Sequence, residues 1–181
     1  MIKKFLFSKK GCIVISIVFI VFIVIVLPVI SKLTESVTHT SFSPDTAIFY
    51  STNEFYEAME IYGKAGRDFY VLLRWTFDVI WPLVYFSFLI SVLGHLTRNH
   101  PKERRLLILL IPLVSVIFDF FENTFATLNV VIYPSKIEFL IVLLQGMSLM
   151  KWFFIVLAML AIIYSLIVNI VMRKKSKISA S

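Results

Sequence analysis

The sequence predicts an all-α protein: a four-helix transmembrane bundle with an additional amphipathic helix facing outward between the first and second spans. Three observations predict it. Of 181 residues, 59% are hydrophobic and 16% charged, whereas a soluble domain carries about 25% charged residues. Four apolar runs, 11–30, 69–93, 106–128 and 139–172, each reach the roughly 20 residues that a helix needs to cross about 30 Å of hydrocarbon. The only long polar segment, residues 31–68, lies between the first two runs. At this length the chain forms one integral membrane domain, residues 1–181.

The net charge of +7 does not point to nucleic acid. The basic residues gather at the ends of apolar runs, as the positive-inside rule requires. A single cysteine, Cys12, excludes an internal disulfide and a cysteine metal site. No lipobox precedes it.

The first run follows Lys3, Lys4, Lys9 and Lys10 and is almost wholly Ile, Val and Phe. It exceeds the apolar region of a signal peptide, and no small-residue cleavage site stands close behind it. An uncleaved anchor is therefore expected. Beyond it, Ser31 to Thr46 is rich in Ser and Thr and reads as an irregular loop. Ser51 and Glu54 have the spacing of a capping box. Phe55, Met59 and Tyr62 then recur at helical spacing opposite Glu54, Glu57 and Glu60, which predicts a helix lying along the membrane surface. Gly63 and Gly66 bracket a bend into the second span.

In that span Arg74 and Asp78 are four apart and can pair along the helix. Pro82 lies four beyond Asp78, so the Asp78 carbonyl loses its usual donor and the helix should kink there. The freed carbonyl must be satisfied by another helix, water or a ligand. The connector from His95 to Arg105 carries Arg98, Lys102, Arg104 and Arg105, and is broken by Pro101. His95 and His100 lack the spacing of a helical metal pair, so no metal site is read there. The third span contains Pro112 and the stretch Asp119-Phe120-Phe121-Glu122-Asn123. Asp119 and Glu122 fall on one helical face with Asn123 beside them. A turn at Tyr133-Pro134-Ser135 leads to the fourth run, which carries Gln145, Lys151 and Trp152 and overshoots the bilayer by several turns.

Four lysines or arginines stand at the N-terminus, four in the His95–Arg105 connector and four in the tail (Arg173, Lys174, Lys175, Lys177). The other two loops hold only Lys32, Lys64, Arg67 and Lys136. Both termini are thus expected to be cytoplasmic in the plasma (inner) membrane, with the acidic loop outward. Counting helical rise from the span ends then places Arg74, Asp78, Asp119, Glu122 and Lys151 in the outer half of the bilayer. A charge in hydrocarbon costs roughly 2.5–3.5 kcal/mol on insertion scales. Convergence of three acids and two bases on one interior site is the cheaper arrangement. Tyr70, Trp75, Trp81, Tyr85 and Trp152 would give that site an aromatic lining.

Tyr62-Gly63-x-x-Gly66-Arg67-x-x-Tyr70, Asp78-x-x-x-Pro82-x-x-Tyr85, Asp119-x-x-Glu122-Asn123 and Lys151-Trp152 together resemble a family of small bacterial membrane proteins with four spans and no assigned activity. The likeness covers roughly residues 49–164 and implies that these residues form a unit. A fainter resemblance, on the loop after span one and on Asp78 preceding Pro82, is to the sterol-isomerase and sigma-2-receptor type of four-helix membrane protein. The spans carry no counterpart of the isomerase histidine.

Three functions are compatible with such a cluster. One is a binding or accessory protein for a lipid or hydrophobic small molecule, with Arg67, Tyr70, Arg74, Asp78, Tyr85, Asp119, Glu122, Asn123, Lys151 and Trp152 as ligand-binding candidates. Another is a lipid-modifying enzyme using Asp78, Asp119 or Glu122 as acid or base. The last is a proton- or ion-coupled carrier, which would have to act as an oligomer because the chain shows no inverted repeat. In the plainest reading the buried charges only fix which helices meet. No cofactor is implied. The expected partners are membrane lipids, with a second copy or another membrane protein also possible.

Overall fold

The computed structural model describes residues 5–44, 47 and 49–178, with side chains described as far as Met172. Lys3, Lys4, Asp45 and Thr46 lie outside the described residues, as do the side chains of the basic tail. Among the described residues the secondary structure is all helical. Four helices are long and apolar enough to cross a membrane.

Helix α1 runs Lys9–Thr38. Pro28 cannot donate to the carbonyl four residues back, and just before it the helix widens into a π-turn at Phe22–Val26. Here the structure corrects one expectation. The segment after Ser31 is not irregular but helical as far as Thr38. Its hydroxyls fold back on the helix instead of competing with it: Thr34 donates to the Ile30 carbonyl at 2.9 Å, and Thr38 to the Thr34 carbonyl at 2.9 Å. His39, in the left-handed conformation at φ 59°, ends the helix.

Helix α2 spans Thr52–Arg74. The expected capping box is present: Glu54 N–H donates to the Ser51 hydroxyl, and Ser51 N–H donates to the Glu54 carboxylate at 2.6 Å. The bend also falls where expected, at Gly63, whose φ of 58° and ψ of −174° are a glycine conformation. Phe55, Met59 and Tyr62 are buried, with Glu54, Glu57 and Glu60 on the exposed face. The apolar face does not lie open for lipid. It packs on Ala126, Val130, Ile141 and Leu144 of the next helices and forms a lid over the bundle.

Helices α3 (Phe77–Leu96), α4 (Lys102–Val131) and α5 (Glu138–Ile178) complete the bundle. The second span is interrupted at Trp75 and Thr76, whose backbones leave the helical region. The break therefore precedes Asp78 and is separate from the proline position, Pro82. The α4–α5 pair shares the most extensive interface, α3 packs across both, and α1 lies outside against α2 and α3. Ile13, Ile17, Ile20 and Val24 of α1 are exposed apolar residues, as a peripheral span requires.

Two apolar clusters fill the interior. One joins the α2 lid to α4 and α5. The other joins Tyr85, Leu89 and Leu93 of α3 to Val116, Ala158 and Ile162. The N-terminal segment docks at the α3–α4 connector, where the Phe7 ring occupies the space a Cβ on Gly94 would need. Asn169 of α5 donates to the Leu96 carbonyl at the same end. Leu6 and Phe7, the connector and the distal part of α5 thus share one end of the bundle, and the α2 lid covers the other.

Candidate functional site: a closed charge network beside a cavity

The network sits between the two apolar clusters, immediately under the α2 lid. Helix α4 supplies Asp119, Glu122 and Asn123 from one face, which the 3.6-residue repeat brings together. Helix α5 supplies Lys151, whose ammonium lies 2.6 Å from Glu122 Oε2 and 3.7 Å from Asp119 Oδ1. The end of α2 supplies Arg74, with its guanidinium 3.4 Å from Asp78 and 3.8 Å from Glu122. Tyr85 of α3 donates to Asp119 Oδ2 at 2.9 Å. Arg74 donates further to Tyr70 Oη at 2.9 Å and to Asn123 Oδ1 at 3.1 Å.

Asn123 completes the arrangement. Its amide Nδ2 donates to the Asp78 carbonyl at 3.0 Å, the oxygen that Pro82 leaves without its helical donor. One amide thus bridges an interrupted span and its neighbour, and it is fully buried. The charged groups are buried too, with Arg74 and Glu122 each 2% exposed, Asp119 4% and Lys151 8%. At such burial an unpaired charge would be costly, whereas here every charge has an opposite partner within 4 Å.

Most of the residues singled out from the sequence converge here: Tyr70, Arg74, Asp78, Tyr85, Asp119, Glu122, Asn123 and Lys151. Two ligand-binding candidates do not. Arg67 donates to the Met59 carbonyl at 2.7 Å and lies over the Tyr133 ring, so it fastens the α2 bend to the α4–α5 turn. Trp152 is 46% exposed on the outside of α5, because it follows Lys151 directly and a helix turns adjacent residues about 100° apart. The aromatic lining is correspondingly smaller than expected. Trp75 is half-exposed and donates to Thr127, and Trp81 stacks with Phe19 and Phe22 of α1. Of the five aromatic candidates, Tyr70 and Tyr85 hydrogen-bond to the charges, and Trp152 meets the network from outside, its ring centroid 5.6 Å from the Lys151 ammonium.

No protein-family model, curated protein or solved structure matches the chain. The site must be read from its own chemistry. Four helices of sufficient length and hydropathy make the chain a multi-pass membrane protein.

Among the ionised members of the network, Asp78 is the least covered, its side chain being 21% exposed. It lines a cavity of about 200 Å³ between α1, the segment after it, and the α2–α3 break. Leu27, Ile30, Leu73 and Phe77 give this cavity apolar walls, while Thr34 and Glu35 add polar groups. This wall is not apparent from the sequence, because the Ser and Thr content of residues 31–38 predicts loop where the chain is helical. A signal existed: Ser31, Thr34 and Glu35 recur at three- and four-residue spacing, the mark of one helical face. A second missed element is Asn129, whose Oδ1 accepts from the Tyr56 hydroxyl at 3.0 Å while that hydroxyl accepts from the Ile137 amide. This bond holds the lid in place.

Proposed function

We propose that the chain is an accessory or binding protein of the plasma membrane, which takes a lipid or hydrophobic small molecule into the cavity beside Asp78. The observation that carries this reading is the position of Asp78, which is tied to the buried network on one side and faces an amphipathic cavity on the other. Apolar walls with a few convergent polar groups are the usual composition of a small-molecule site. The network holds Asp78, α2 and the α3 start in register, so the cavity wall is rigid before a ligand arrives.

Both termini face the cytoplasm in this proposal, and the lid faces outward. It rests on the twelve basic residues that the sequence places at the chain start, connector and tail. Reporter fusions at residue 181 and within residues 39–50 test it, with the tail inside and the loop outside as the expected result.

The alternatives draw less support. An acid–base enzyme needs a carboxylate free to reach its substrate; Asp119 and Glu122 are enclosed by Lys151, Arg74 and Tyr85, which leaves Asp78, paired with Arg74, as the one of the three candidates that lines the cavity. A carrier needs a polar path through the other half of the bundle, where Leu89, Leu93, Val116 and Ile162 close the interior. The four motifs behind the resemblance to four-span bacterial proteins contribute Tyr70, Asp78, Tyr85, Asp119, Glu122, Asn123 and Lys151 to one site, which supports reading them as a unit.

Gentle extraction of the wild type and of Thr34→Trp, followed by mass spectrometry of co-purifying molecules, tests the binding role. A defined head group or small molecule that disappears in Thr34→Trp is the expected result. The same unselective lipid mixture in both would leave the network a structural lock only. If instead the protein proves to be an enzyme, Asp119→Asn will insert normally and lose activity.

A further inference from the structure

At the opposite end of the bundle lies a larger cavity, of about 370 Å³, which the proposed function does not use. His95 in the last turn of α3, Arg98 and His100 of the α3–α4 connector and Asn169 of α5 give it polar walls. Leu166 and Ile170 continue it along α5, and both are exposed to the surroundings of the bundle. No carboxylate occurs among the described residues that line it. We propose that this cavity binds the phosphate group of an anionic amphiphile, with the acyl chains lying along Leu166 and Ile170.

The chemistry of the lining selects that ligand. Arg98 offers a planar fork of N–H donors suited to two oxygens of one phosphate. His95 and His100 each provide at least one further ring N–H. Several donors converging from a connector suit a group with several acceptor oxygens better than a single carbonyl. The apolar wall that continues toward lipid suits an amphiphile better than a free ion, and basic pockets between spans on the cytoplasmic side are favourable sites for acidic head groups.

Positive residues that only set topology need nothing more than water around them. Arg98 instead borders a shaped space whose walls are fixed. Asn169 donates to the Leu96 carbonyl at 3.0 Å, Thr97 to the Leu93 carbonyl at 2.6 Å, and Arg105 to the Gly94 carbonyl at 3.3 Å. The Asn169 and Arg105 bonds tie the end of α3 to α5 and α4, while the Thr97 bond closes the end of α3 on itself, so the connector is held against α5. Arg104 lies in the first turn of α4, next to the connector, but does not line the cavity, and it supplies the internal control.

The test uses the full chain in neutral detergent, titrated with phosphatidylglycerol or phosphatidylcholine and read by native mass spectrometry. Phosphatidylglycerol should be retained in preference to phosphatidylcholine. Arg98→Gln should weaken that retention about fivefold, the effect of one cation near an acidic head group, and His95→Gln should weaken it in the same direction. Arg104→Gln should change it little. Competition with inorganic phosphate separates the sources: displacement identifies phosphate alone as sufficient, whereas persistence shows that the acyl chains are needed. Equal losses in Arg98→Gln and Arg104→Gln would reduce the effect to general surface charge and overturn the proposal, as would equal retention of the two lipids. Thr34→Trp, at the other end, should leave this retention unchanged, so failure here is separable from failure of the cavity beside Asp78.

Discussion

The two halves of this bundle are held by different physics. Under the α2 lid, five ionisable side chains from α2, α3, α4 and α5 interlock, each within 4 Å of an oppositely charged partner. Toward the connector, α3, α4 and α5 meet through Leu89, Leu93, Val116, Ala158 and Ile162. An apolar interface tolerates several rotations of its helices, because one aliphatic contact resembles another. A charge network tolerates few, since each displaced member leaves a buried charge without a partner. The ionic half therefore sets which helices meet and in what register, and the apolar half fills space around that choice. The break at Trp75 and Thr76 fits this division. It turns Arg74 and Asp78 toward the same partners while Asn123 satisfies the carbonyl that Pro82 exposes.

Removing one cation is the harshest way to probe the comparison. Arg74→Met should destabilise the protein by about 3–5 kcal/mol, the usual consequence of leaving a buried charge unpaired, as measured by denaturant unfolding in detergent. In the apolar half, Leu93→Ala should cost about 2–5 kcal/mol by cavity formation, without the change in helix register expected of Arg74→Met. Cysteine crosslinking between α3 and α5 separates the two outcomes. The backbone at the edge of the network comes next: Gly63→Ala should cost about 1–3 kcal/mol, because φ near 58° with ψ near 180° is almost confined to glycine. Trp152→Ala, on the outer surface beside Lys151, should stay within about 0.5 kcal/mol of wild type. If it matches Arg74→Met, the separation of network from exterior is wrong.

The smallest effect lies at the lid. Hydrogen bonds from the Ser51 backbone and hydroxyl hold the Glu54 carboxyl below its ordinary range. A group with a lowered folded pKa stabilises above its unfolded pKa and loses that contribution as pH falls through the folded one. Hydrogen exchange at the start of α2 should therefore quicken on acidification below the normal carboxylate range, and Glu54→Gln should remove that pH dependence while leaving the network intact.

Much of this arrangement was legible in the sequence, and for identifiable reasons. Charged residues in long apolar runs are conspicuous because hydrocarbon makes them costly, so Asp119, Glu122 and Lys151 announce a meeting point. Pro82 announces the orphaned Asp78 carbonyl, although not that Asn123 would satisfy it. Long-range geometry was not legible. Arg67 and Trp152 belong to the same sequence motifs as network residues yet point elsewhere, since periodicity fixes a helical face only relative to an unknown neighbour. The helical continuation to Thr38 was hidden by its Ser and Thr content, which local propensity assigns to loops. The lid was legible as amphipathic, but composition does not distinguish a face bound for lipid from one bound for protein.

The central claim is that Lys151 and Glu122 stabilise the bundle through each other. A double-mutant cycle with Lys151→Met, Glu122→Leu and the combined variant measures that dependence directly. Each single substitution should be strongly destabilising, and the pair should recover much of the loss, because two buried charges then vanish together. Losses that simply add would mean the two side chains act independently, and the charge network would not be what holds these helices in register.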